Sequence, residues 1–157
     1  MRKVIANTTP LIALANVGHL DILHKLYGDI LIPEAVLEEI KSEPARTVVN
    51  NSEWIKVCSI SSSDDKKLYR ARLHAGEVEV MILAGEKDAD LLIMDDNAAK
   101  KTAKYMGFKV TGTLGVLMRA KQEGCIDAVK PIVMALIADG LYISKRVMQF
   151  VLEEMGE

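Results

Sequence analysis

Short apolar runs alternate along this chain with longer stretches in which apolar positions recur at helical spacing. Val4-Ile5-Ala6 is too brief for a helix and reads as a strand. Thr8-Thr9-Pro10 follows it with a hydroxyl cap and a proline at the first helical position. Leu11, Leu14 and Ala15 share one face until Gly18, and a second helix is expected from about His19 to Tyr27, closed by Gly28. Ile30-Leu31-Ile32 reads as a buried extended segment, and Pro33 opens a third helix through about Lys41 that Pro44 terminates. Trp54 to Ile60 alternates apolar and polar residues as a strand, and Ser61-Ser62-Ser63-Asp64-Asp65 caps a further helix with acids in its first turn.

The second half repeats the alternation. A helix is expected from about Glu77 to Lys87, after the break at Gly76, and the uninterrupted run Leu91-Leu92-Ile93-Met94 has the pattern of a central parallel strand buried on both faces. A helix over Asn97 to Met106, a strand over Phe108 to Thr111 and a helix over Thr113 to Glu123 come next. Two last helices, about Ala128 to Asp139 and Ser144 to Glu154, close the chain. Strands regularly followed by helices imply a parallel sheet covered on both faces, so the expected class is α/β with helices in the majority.

The length of 157 residues suits a single domain, 1–157, with the helices from about 128 to 157 as an appended packing or interaction element. Half the residues are apolar and 27% are charged, which excludes disorder driven by charge. No apolar run is long enough to span a bilayer, and the opening Met-Arg-Lys-Val-Ile-Ala-Asn turns polar too soon for a signal peptide, so a cytoplasmic protein with no membrane partner is expected. Cys58 and Cys125 lack the paired spacing of a zinc or redox motif. The net charge of −2 announces no polyanion partner, but its distribution is uneven. Residues 77–96 carry seven acids and one base, and residues 97–122 carry six bases and no acid.

In an open parallel sheet, ligands bind beyond the carboxyl ends of the strands. Asn7 follows the first strand, and Asp95 with Asp96 follow Leu91 to Met94. Clustered acids repel one another unless a cation lies between them, so these positions suit a hard divalent ion with oxygen ligands; the plainer alternative is that Asp95 or Asp96 caps the helix from Asn97. At about 100° per residue, Glu77 falls between Met81 and Ala84 on the inward arc, whereas Glu79 falls beside Glu86 on the polar side. An inward carboxylate calls for a metal, a base or an aqueous cleft. By the same reasoning Glu39 lies at the edge of the apolar face of the third helix, and Glu38 on its far side. No glycine fingerprint, P-loop or nucleophile elbow is present, and His19, His24 and His74 show no ligand spacing with cysteine.

Read together, Val-Ile-Ala-Asn7-Thr-Thr-Pro-Leu-Ile-Ala-Leu-Ala, Ile-Pro-Glu-Ala-Val-Leu-Glu-Glu39-Ile, Gly-Glu77-Val-Glu79-Val-Met-Ile-Leu-Ala, Asp-Leu-Leu-Ile-Met-Asp95-Asp96 and Gly-Phe-Lys-Val-Thr-Gly-Thr-Leu-Gly-Val-Leu resemble the PIN domain. The similarity is greatest to a prokaryotic subfamily related to the VapC-type toxins of toxin–antitoxin systems. The resemblance implies a Rossmann-like three-layer α/β/α fold and a Mg²⁺- or Mn²⁺-dependent ribonuclease, often dimeric. It places the family's acids on Asn7, Glu39, Glu77 and Asp95, with Asp96 and Glu79 assisting. Asn7 stands where the family normally has an aspartate, and so offers a neutral carbonyl in place of a charged ligand.

The activity these features imply is hydrolysis of single-stranded RNA, with Thr8, Thr9 and Thr113 available to bond phosphate or water at helix N-termini. Lys100, Lys101 and Lys104 are candidates for tracking the RNA backbone. A second reading is a catalytically weakened PIN module that binds RNA or a partner protein such as an antitoxin. A third, a phosphoacceptor signalling domain, needs a lysine after the last strand, whereas Lys109 precedes that strand's apolar core. Ile132, Val133, Leu136, Ile137, Val147, Phe150 and Val151 supply more apolar surface than one small sheet face covers, so a homodimer or a groove for a partner helix is expected.

Overall fold

The computed structural model describes residues 2–61 and 74–157. Its elements in chain order are β1 (Val4–Ala6), α1 (Thr8–Asn16), α2 (Asp21–Tyr27), β2 (Ile30–Pro33), α3 (Glu34–Glu39), α4 (Ala45–Asn50), β3 (Ile55–Cys58), α5 (Ala75–Lys87), β4 (Leu91–Ile93), α6 (Asn97–Tyr105), β5 (Val110–Thr111), α7 (Thr113–Gln122), α8 (Lys130–Ala138) and α9 (Lys145–Glu154). The five strands form one sheet in the order β3-β2-β1-β4-β5, and every pairing is parallel. Helices flank it in the three-layer arrangement expected. The helix anticipated after Asp64-Asp65 falls outside the described residues.

Burial follows strand position. All three residues of β1 and all three of β4 are buried, because the central strands of a parallel sheet are covered on both faces. Their register aligns Val4 with Leu91, Ile5 with Leu92 and Ala6 with Ile93, so both strands end at the same level. Ile5, Leu92, Ile93 and Met94 are among the largest fully buried side chains, and truncating one of them to alanine would cost about 2–5 kcal/mol.

Helix α4 was not expected: Pro44 reads as a terminator, yet here it directly precedes a new helical turn. Residues 45–50 pack Ala45 and Val49 into the core, and tertiary burial overrides a weak local signal. Of the apolar residues expected to leave α8 and α9 with excess surface, Ile132, Val133, Leu136 and Val151 lie in the core and Ile137 is partly covered. Val147 and Phe150 remain exposed at 43% and 57%, together with Met134 and Tyr142. Among the described residues no helix is long and apolar enough to cross a membrane.

Candidate active site

The strand order reverses direction between β1 and β4, since the chain winds outward through β2 and β3 on one side and through β5 on the other. At such a switch point the connections leave in opposite directions and open a crevice beyond the strand ends. Asn7 is the first residue after β1, and its backbone N–H donates to the Ile93 carbonyl at 2.8 Å. Its side chain is 95% buried by the surroundings, at 5% exposure, and Oδ1 accepts the Thr8 N–H at 2.8 Å. Asn7 is therefore the N-cap of α1 and Thr8 begins the helix; the expected hydroxyl cap is replaced by an amide cap, and Pro10 stands third in the helix where it was expected first.

Thr8, freed from capping, points its hydroxyl across the crevice and donates to Glu39 Oε2 at 3.1 Å. Glu39, the last residue of α3 and exposed, accepts the Gly76 N–H on Oε1 at 2.5 Å. Gly76 lies in the first turn of α5, where a Cβ would run into the Glu39 carboxylate. One turn of the same helix carries Glu77, 5% exposed, whose Oε1 accepts the His74 N–H at 2.9 Å. The inward phase read for Glu77 holds. Burial raises its pKa most, the His74 N–H opposes the rise, and the charges of Asp96 and Glu39 push it further up. Glu39, Glu77 and Asp96 are thus electrostatic neighbours. Asp96 is exposed and caps α6 by accepting the Ala99 N–H at 2.9 Å.

Asp95 belongs to a second group. Its Oδ1 accepts the Thr113 N–H at 2.7 Å and its Oδ2 the Thr113 hydroxyl at 2.6 Å, which ties the end of β4 to the first turn of α7. Gly112 lies against both Asp95 and a lysine: a Cβ there would stand 2.7 Å from Asp95 Oδ1 and 2.9 Å from Lys100 Nζ. Lys100 therefore reaches the crevice. Lys101 is exposed elsewhere on α6, and Lys104 lines a different cleft, so the expected lysine group is divided. Thr9 is exposed and has no hydrogen-bond partner among the described residues. Glu79 accepts the Ala35 N–H at 3.2 Å and so helps hold the N-terminus of α3.

Gly76 was expected to break the helix, yet it lies inside α5, which starts at Ala75 with His74 as its N-cap, because its missing side chain makes room for Glu39. Nothing in the sequence signalled that His74, Gly76 and Gly112 would contact the carboxylates.

Among the described residues no three of these side chains converge closely enough to hold one ion. The carboxylates instead rest on Thr8, Gly76, His74, Ala99 and Thr113 donors. The donor set is still that of a hard divalent cation, carboxylate and amide oxygens with lone pairs to spare. Glycine at position 76 leaves the space that Glu39 occupies.

Two expectations follow from this geometry. Gly76→Ala should leave the melting temperature unchanged or slightly lowered, since alanine favours the helix by about 1 kcal/mol but costs about 1–2 kcal/mol in the hydrogen bond from the Gly76 N–H to Glu39, while displacing Glu39 should lower any cleavage rate by about 100-fold. Paired melting and cleavage measurements check it. For Glu77, a folded-state pKa above the ordinary 4.5 means that its contribution to stability is fully present below that pH and is lost as pH rises through the folded value. Glu77→Gln should therefore melt higher than the parent at pH 7, with the gain disappearing below about pH 4.5. Melting curves of both proteins across that range are the check.

A family model described as a PIN domain matches residues 3–157. No curated protein matches the sequence significantly. With a match over nearly the whole length, and with the parallel sheet and the acids at its switch point as described, the chain belongs to the PIN-domain family.

Proposed function

We propose that this protein is a Mg²⁺- or Mn²⁺-dependent endoribonuclease that hydrolyses single-stranded RNA. The PIN family is of nuclease type in general. The observation that carries the narrower reading is Glu77, a buried carboxylate whose pKa is raised by burial and by the charges of Asp96 and Glu39 in the switch-point crevice. Such an arrangement stores repulsion that a cation relieves.

Glu39, Glu77 and Asp95 would hold the ion, with Asp96 and the Asn7 carbonyl assisting. The chemistry a divalent ion supplies when bound is Lewis acidity toward a phosphoryl oxygen and toward the attacking water. Thr8 orients the Glu39 carboxylate and Thr113 that of Asp95. Lys100 Nζ, beside Asp95, meets the anionic phosphate. Water adds to phosphorus, the bond to the 3′ oxygen breaks, and the proton passes to that oxygen, leaving 3′-hydroxyl and 5′-phosphate ends.

Incubating the protein with an unstructured end-labelled RNA, in Mn²⁺ and in chelator, tests this reading. Metal-dependent cleavage to those ends is the expected result, and an intact RNA under both conditions rejects it. A second reading has its own support. Asn7 supplies no charge, and the carboxylates are already bonded to protein donors, as suits a module that binds RNA or protein without cutting.

The resemblance to VapC-type proteins makes the toxin of a toxin–antitoxin pair the setting to examine. A neighbouring gene for a small protein with a DNA-binding half and an amphipathic tail would supply the antitoxin. Exposed Val147 and Phe150 on α9 support self-association. Light scattering at micromolar concentration should read a homodimer, and a strict monomer would remove that part of the proposal.

A further inference from the structure

Beside β5, the last strand of the sheet, a cleft of about 460 Å³ opens between α6 and α7. Four cations line it, Arg2, Lys104, Lys109 and Arg119, together with Tyr27 and Phe108, and no carboxylate is among the lining residues. Arg2 is held by its guanidinium lying 5.7 Å from the centre of the Tyr27 ring. Arg119 Nη2 contacts Glu123 at 3.4 Å, which leaves its remaining N–H donors available. The side-chain ammonium groups of Lys104 and Lys109 have neither an ion-pair nor a hydrogen-bond partner among the described residues. Burial raises the Tyr27 pKa, Arg119 and Arg2 oppose the rise and Glu123 adds to it, so both guanidinium groups and the carboxylate paired with Arg119 bear on the phenol. With Arg119 already paired to Glu123, the like charges of Arg2, Lys104 and Lys109 on one cleft repel one another unless an anion enters.

The cleft opens toward the amino-terminal ends of the strands, where Arg2, Leu91 and Lys109 sit, and α6 and β5 link it to the candidate active site beyond their carboxyl ends. Lys104 is one helical turn beyond Lys100, about 6 Å along α6, and Lys100 lies beside Asp95. Thr111, in the cleft wall, is two residues before Thr113, which holds Asp95. A chain of phosphates leaving the crevice along α6 therefore meets Lys100, then Lys104, then the other three cations.

We propose that this cleft is a phosphate-binding subsite for the backbone of single-stranded RNA, holding the strand at nucleotides away from the scissile bond. The inference rests on the nuclease reading for the direction of the strand but is separable from it by experiment. The ligand chemistry is the phosphodiester, which a strand presents repeatedly, whereas a free nucleoside monophosphate presents a single phosphomonoester.

The test is fluorescence anisotropy in chelator, so that nothing is cut, with a labelled unstructured RNA of roughly 12 nucleotides. The parent is compared with Lys104→Ala/Lys109→Ala and with Lys145→Ala/Arg146→Ala, which removes the same charge from exposed positions on α9. The cleft pair should weaken binding by about tenfold and reduce the salt slope by about 1.4, two contacts at about 0.7 each. The α9 pair should stay within about twofold of the parent. Equal losses from both pairs, no loss from the cleft pair, or no binding by the parent would overturn the proposal. Competition by uridine monophosphate or by an acidic peptide as effective as that by the RNA would overturn it too. Cleavage in Mn²⁺, measured separately, distinguishes the two readings. Cleft-dependent binding without cleavage defeats the nuclease and leaves the subsite, whereas cleavage with cleft-independent binding defeats the subsite alone.

Discussion

Asp95→Asn should lower Mn²⁺-stimulated cleavage of single-stranded RNA by at least about 100-fold, the scale on which perturbing metal coordination acts. The asparagine keeps the shape and one acceptor oxygen but loses the charge and the second acceptor. Read from sequence alone, this substitution relieves repulsion among acids and should leave stability unchanged or raised. The hydrogen bonds reverse that expectation, because Asp95 receives both the N–H and the hydroxyl of Thr113 at the start of α7. Losing a charge at a helix N-terminus costs about 0.3–1 kcal/mol, and weakening one hydrogen bond about 1 kcal/mol more. The variant should therefore melt a few degrees lower, remain folded at the assay temperature, and fail to cut. Cleavage at the parent's rate would remove Asp95 from the site.

Asn7→Asp should make stability depend more strongly on metal. Position 7 caps α1 through Oδ1, a role aspartate fills equally well, so the fold should tolerate the exchange. The added charge enters a crevice that already holds Glu39, Glu77 and Asp96, and in chelator the variant should melt lower than the parent. In Mn²⁺ the order should reverse. Each tenfold gain in affinity adds about 1.4 kcal/mol at saturating metal, roughly 3–6 °C in a domain of this size. Melting curves in chelator and in Mn²⁺ read both arms. An unchanged metal response would place Asn7 outside the coordination shell and leave it as a helix cap only.

Much of the fold was legible because its strands are extreme in composition. Val4-Ile5-Ala6 and Leu91-Leu92-Ile93 are apolar without interruption, as strands buried on two faces require, and they became neighbouring central strands. Glu77 was legible for a related reason: helical phase depends only on spacing, and the inward arc it shares with Met81 and Ala84 is buried. Features set by contacts between distant segments were not legible. The amide cap at Asn7 frees Thr8 to reach Glu39, 31 residues away, and Thr113 locks Asp95 from 18 residues away. Of three lysines close in sequence, 100 and 104 share a helix face one turn apart and 101 does not, so the group divides. Arg2, Lys109 and Arg119 carry no mutual pattern in the sequence, and only the edge of the sheet brings them to one cleft.

Calorimetric titration of the metal-free protein with Mn²⁺ tests the central claim most directly, because it asks whether these carboxylates give up their protein donors for an ion. The account predicts saturable binding that is weakened by about tenfold or more in Glu39→Gln and in Glu77→Gln, and unaffected in Glu79→Gln. Absence of saturable binding, or equal loss from Glu79→Gln and Glu77→Gln, would contradict it.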